Sequence, residues 1–186
     1  MATPSTHGVL FVHSSPAALC PHLEWAISAV LGHPIHLSWD SQPVLPTTVR
    51  SEFAWKGPVG SGAILATALR GWEHLRFEVT ENASAGVDGS RYLHTPDLGV
   101  FSSAMDVAGN TVISEDRVRS ALELGAGDAA AIAKELRLAL GEHGMTNWSL
   151  FATAAKTPEW CGFTRSVRKH SETPPRRCVR QSQTSY

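Results

Sequence analysis

Cysteine is scarce in this chain. There are three in 186 residues, Cys20, Cys161 and Cys178, and no CxxC pair among them. An odd, widely spaced set supports neither a disulfide framework nor a cysteine-type zinc site. Long apolar runs are missing too: none approaches the roughly 18–20 residues a bilayer-spanning helix needs. Met1 to His7 carries no Lys or Arg, and the apolar stretch Val9 to Val12 is too short for the core of a secretion signal. A cytoplasmic protein with no membrane partner is the expectation. Also missing are a GxGxxG loop, a P-loop lysine and a GxSxG elbow, so no cofactor is expected.

Hydrophobic residues make up 42% and charged residues 18%, enough to bury a core in one domain. The formal net charge of −1 hides a split. Residues 1–142 carry nine basic and fifteen acidic side chains, whereas 143–186 carry seven basic and two acidic. Residues 1–142 therefore read as an acidic α+β domain. Residues 143–186 read as an irregular, poorly ordered basic tail, because no hydrophobic period persists there.

Within the domain, Gly8 to His13 (GVLFVH) suits a buried central strand. Ser14 or Ser15, with Pro16 next, fits the cap of a helix whose buried stripe is Leu19, Cys20, Leu23, Ile27, Val30 and Leu31. Ile35 to Trp39 alternates as a half-buried strand, and Val49 to Lys56 alternates again with Val49, Ser51, Phe53 and Trp55 on one face. A second helix from Ser61 places Ile64, Leu65, Ala68, Leu69 and Trp72 on one side. Leu75, Phe77 and Val79 then alternate with Arg76, Glu78 and Thr80 in a fourth strand. The β-α-β-β-α-β order over residues 8–81 is that of a ferredoxin-like core with an antiparallel sheet. Arg91 to Ser114 adds a hairpin turning near Ala108-Gly109-Asn110. Ser114 and Asp128 cap two C-terminal helices, the second with Ile132, Leu136 and Leu140 as its stripe.

Chemistry-bearing clusters are few. His13, Cys20 and His22 lie close in sequence, but their spacing matches no zinc pattern, and no metal is expected. Ser14 and Ser15 at a helix N-terminus could hold an anion, although capping alone explains them. A nucleophilic serine would need His13 or His94 as its base. His94-Thr95-Pro96-Asp97 reads as a turn or a site loop. Trp39, Trp55 and Trp72 fall on core faces; Trp25 lies off its helix's stripe and could be a surface anchor.

The strings GVLFVHSSPAALCPHLEWAISAVLG (8–32), LRGWEHLRFEVTE (69–81) and RYLHTPDLGVF (91–101) resemble an uncharacterised actinobacterial family, a domain of unknown function. The resemblance spans residues 8–142. It implies an acidic continuation after Glu142, which the basic tail does not provide. In the next reading frame Met145-Thr146 forces an Asp triplet, Asn147-Trp148 a Leu triplet and Trp160-Cys161 a Val triplet, all fitting the family's continuation. The tail is therefore expected to be out-of-frame translation, and the −6 domain to repel nucleic acid.

The resemblance implies no established activity, only an accessory role in fatty-acid metabolism. The first expectation is a non-catalytic binding or regulatory protein with a protein or small-molecule partner. The alternative is a small-molecule enzyme with a pocket near Ser14, Ser15 and His94, with His13 as a further candidate ligand-binding residue. A pocket gathering those residues would favour the enzyme; an apolar groove without titratable groups would favour the binding protein.

Overall fold

The computed structural model describes residues 4–142. Strand β1 (Ser5–Pro16) runs through the middle of the sheet. It pairs antiparallel with β3 (Thr48–Pro58) on one side and with β4 (Arg76–Glu81) on the other. With β2 (Asp40–Ser41), β5 (Gly89–Thr95), β6 (Gly99–Met105) and β7 (Thr111–Val112), the strands form one seven-stranded antiparallel sheet in the order β2-β3-β1-β4-β5-β6-β7. Four helices accompany it among the described residues: α1 (Cys20–Leu31), α2 (Ser61–Leu69), α3 (Glu115–Gly125) and α4 (Ala129–Ala139). None is long and apolar enough to cross a membrane.

The alternation of β1 explains the layering. Leu10 and Val12 point to one face with Trp55, Phe77 and Val79. There they meet Leu23, Ala26 and Ile27 of α1 and Leu65, Ala66 and Leu69 of α2 in the main core. Val9 and Phe11 point to the other face. Backbone approach is closest at Gly8, where a Cβ would stand 1.8 Å from the Thr80 carbonyl oxygen and 2.8 Å from the Trp55 ring. Only glycine fits between these strands.

Most expected elements are present, with four corrections. β1 does not stop at His13. Pro16 is itself extended (φ −56°, ψ 134°), so the strand continues through Ser14 and Ser15 into a 3-10 turn over Ala17–Leu19. Helix α1 begins at Cys20, with no side-chain cap and a proline in its first turn. The two serines are therefore buried strand residues, not helix caps.

Ile35 to Trp39 alternates in burial as expected but is not a strand. Its N–H groups go to α1 instead: Ile35 N donates to Ser28 Oγ (2.8 Å), while Leu37 N and Trp39 Nε1 donate to Glu24 Oε1 at 3.1 and 3.0 Å. Side-chain acceptors on a helix do there what a neighbouring strand would have done. The Trp39 hydrogen bond, outweighing burial, holds the Glu24 carboxyl below its ordinary range.

The buried stripe of α2 is Ser61, Gly62, Leu65, Ala66 and Leu69. Ile64 (57% exposed) and Ala68 face outward instead. Cys20, placed on the buried stripe of α1, is only half-buried. The caps of α3 and α4 are as expected: Ser114 Oγ accepts from Arg117 N and Asp128 Oδ1 from Ala130 N. Trp25 is 73% exposed, while Trp55 is buried and Trp39 and Trp72 are half-buried against the core. The tail, 143–186, lies outside the described residues.

Helix α2 has no cap of its own, and Gly60 enters it with φ +92°. Its free N–H groups are met from the end of β4. Glu81 Oε1 accepts from Gly60 N at 2.6 Å and Oε2 from Gly62 N at 2.8 Å. A carboxylate at this end also complements the helix dipole. Glu81→Ala strands the buried Gly62 donor and the half-buried Gly60 one and should cost about 1–3 kcal/mol; an unchanged urea midpoint would contradict this role.

Candidate functional site: a cleft over a buried ion pair

The second face of the sheet carries polar residues at its centre. Register places Phe11, Glu78 and Leu93 side by side across β1, β4 and β5, and Val9, Thr80 and Arg91 in the next row. Arg91 reaches diagonally to Glu78, its Nη2 2.7 Å from Oε1, with both side chains at most 10% exposed. The other carboxylate oxygen, Oε2, lies 3.7 Å from His13 Nε2, an ion-pair rather than a hydrogen-bond distance. His13 stacks on Phe11 with ring centroids 5.8 Å apart.

By alternation His13 shares the face of Val9 and Phe11, and it sits in a bulge. Between Val12 and Ser15, His13 and Ser14 together oppose Arg50 of β3, and the same pair meets Arg76 of β4. An extra residue of this kind re-aims side chains and breaks the ladder locally. The carbonyl of His13 accepts from the side chain of buried Gln42, whose Oε1 in turn accepts from Val44 N. The bulge is thus held from the loop before β3.

Charge burial decides the protonation of Glu78. Desolvation alone would raise its pKa. The His13 imidazole and the Arg91 guanidinium outweigh that cost, and the carboxyl titrates below the ordinary range of glutamate. It stays ionised and accepts hydrogen bonds.

A cleft of about 350 Å³ opens onto this pair. Glu78, Arg91, Thr80, Asn82 and His7 give it a polar side; Phe11, Ala83 and Met105 give it an apolar one. Its lip is the β6–β7 turn, residues 106–110. Asp106 organises that turn, its Oδ1 accepting from Ala108 N (2.9 Å) and Asn110 N (2.8 Å), its Oδ2 from Asn110 Nδ2 (2.8 Å). The Asn110 contacts hold the Asp106 carboxyl below its ordinary value. Val107, at the tip, is 93% exposed.

Residues 9–160 match the family described as "Protein of unknown function (DUF3145)". The chain belongs to the DUF3145 family. No curated protein and no solved structure matches it. The matched span runs past Glu142, where the resemblance of the sequence strings ends.

The site residues expected in this DUF3145 chain are not all on one face of the sheet. His13 faces Glu78 but is not among the residues lining the cleft. His94, in β5, lies on the helix-packed face, stacked 5.1 Å from Phe77 with Nδ1 2.9 Å from the Leu75 carbonyl. Ser14 Oγ is buried without a hydrogen-bond partner among the described residues, and Ser15 Oγ donates to the Pro16 carbonyl. Among the described residues no group of three His, Cys, Asp or Glu side chains is placed to hold a metal ion. Sequence pattern alone does not single out Glu78, which simply alternates with Phe77 and Val79, or Arg91, at the start of an extended run.

Glu78→Gln leaves the Arg91 charge buried without its counter-ion and should cost about 3–5 kcal/mol. The folded pKa of Glu78 is depressed. Its stabilisation is therefore full above the unfolded value of about 4.3 and lost as pH falls through the folded one. Urea midpoints measured from pH 7 to pH 3 should show an acid limb in the native chain that is reduced in the variant. Identical limbs would contradict the assignment.

Proposed function

We propose that this DUF3145 protein is a non-catalytic, cytoplasmic binding or regulatory protein that holds a small amphipathic molecule in the cleft over Glu78 and Arg91. One observation carries the reading: a cleft with an apolar wall ends on a buried, hydrogen-bonded ion pair. Such a pair stabilises a fold poorly compared with apolar packing. It does offer fixed donors and acceptors to the polar head of a ligand, while Phe11 and Met105 take the apolar part. A carboxylate held ionised suits accepting hydrogen bonds better than donating a proton, which favours binding over acid catalysis. The expected link with fatty-acid metabolism makes acyl-bearing molecules the first ligands to test. The acidic balance of residues 1–142 argues against a nucleic-acid partner.

Two further readings accompany this one. The order β2-β3-β1-β4, with α1 following β1 and α2 joining β3 to β4, supports a ferredoxin-like unit as the core. The forced triplets support an out-of-frame tail and an actinobacterial ancestry for the missing acidic continuation; the family match beyond Glu142 weighs against a frame change there. The nucleotide sequence of the gene decides it: an acidic continuation in the next frame is the expected result, and its absence refutes the idea.

Octanoate and octanoyl-pantetheine are suitable probes for the cleft. Each should raise the melting temperature of the native chain, and Phe11→Ala or Met105→Ala should weaken that binding about tenfold or more, the cost of losing buried apolar contact. Absence of any shift at millimolar probe would sink the proposal.

A further inference from the structure

The outer edge of β3 is open. β2 covers it only at Val49 and Arg50, and the Gln42 N–H adds a bond to the Thr48 carbonyl. Among the described residues no strand pairs with that edge from Ser51 onward. The segment that sequence alternation would place there, Ile35 to Trp39, is held on α1 by Ser28 and Glu24. Pro58 has no N–H to give. The usable edge is therefore Ser51 to Gly57, and its middle residue is Ala54. An unpaired edge of this length is a template for another strand.

We propose that this edge pairs antiparallel with the same edge of a second copy of the chain, in a two-fold dimer centred on Ala54. In that register Glu52 lies opposite Lys56 of the second copy, and Lys56 opposite its Glu52. On the other face Phe53 lies opposite Trp55 of the second copy, again twice. Unlike charges and aromatic pairs directly across a ladder stabilise it. Neighbouring registers lose this match. Centring on Phe53 sets Arg50 against Lys56, and centring on Trp55 sets Glu52 against Pro58. Glu52, Ala54 and Lys56 are all exposed, so the pairing face is not covered by the described part of the chain. β2 pairs at 49–50, outside the 51–57 run, so the second copy's strand has to end its pairing at Gly57. A two-fold interface must be self-complementary, and this strand's pattern is.

Sedimentation of the full-length chain tests the proposal. A dimer is expected. Lys56→Glu alone, or Glu52→Lys alone, sets like charges opposite each other twice and should weaken association about tenfold or more. The Glu52→Lys/Lys56→Glu exchange should restore it. Ala54→Cys should cross-link to itself on mild oxidation, since directly opposed residues have Cα atoms about 4.5–5.5 Å apart, within disulfide reach. Circular dichroism shows whether each variant keeps its fold. A monomeric native chain, a dimer indifferent to the single reversals, or an exchange as weak as either reversal would overturn the proposal.

Discussion

A carboxylate buried in the middle of the sheet governs the face that α1 and α2 leave uncovered. Glu78 stands between Phe11 and Leu93, buried where the row's other carboxylate, Glu52 across Phe11, is exposed. Its charge has to be answered, and two elements are arranged to answer it. β5 places Arg91 one row away, at a diagonal it can span. β1 carries His13 two residues beyond Phe11 on the same face, beside the second oxygen, and Gln42 holds the bulged end of the strand. The cross-strand arginine and the polar floor of the cleft answer that one buried charge.

A second carboxylate organises the opposite side. Glu81, three residues on, faces the helices and closes the N-terminus of α2. A third, Glu24, takes the donors of the Ile35–Trp39 segment. In each case an acceptor on one element satisfies donors on another, which fixes the two elements relative to each other more firmly than apolar contact alone. The capture by Glu24 has a second effect: it draws a segment of strand-like sequence away from β3 and leaves that edge available.

Much of the fold was legible because period and position agreed. Leu75, Phe77 and Val79 alternate, and all three are fully buried. Ser114 and Asp128 were read as caps and act as caps. Where structure and local pattern part, the cause is the same: tertiary partners decide against the local pattern. Ile35 to Trp39 has the alternation of a strand, but α1 supplies its acceptors. Ser14 and Ser15 have the chemistry of caps, but an extended Pro16 carries the strand beyond them. Of the expected site residues, His13 lies against Glu78, which lines the cleft. A signal for the rest was present in GVLFVH, where Val9 and Phe11 are apolar on the face opposite Leu10 and Val12. A strand apolar on both faces has both faces covered, so a charged residue beside it, such as Glu78, has to be paired.

The central claim is that the Glu78–Arg91 pair is kept for what it offers a ligand rather than for stability. Replacing both members with apolar residues of similar size, Glu78→Leu with Arg91→Met, separates the two roles. Melting temperature with and without octanoyl-pantetheine is the measurement. The account predicts a variant that melts at or above the native chain when ligand-free and gains nothing from the probe. A variant that still gains the full shift, or one that melts far below the native chain, would contradict it.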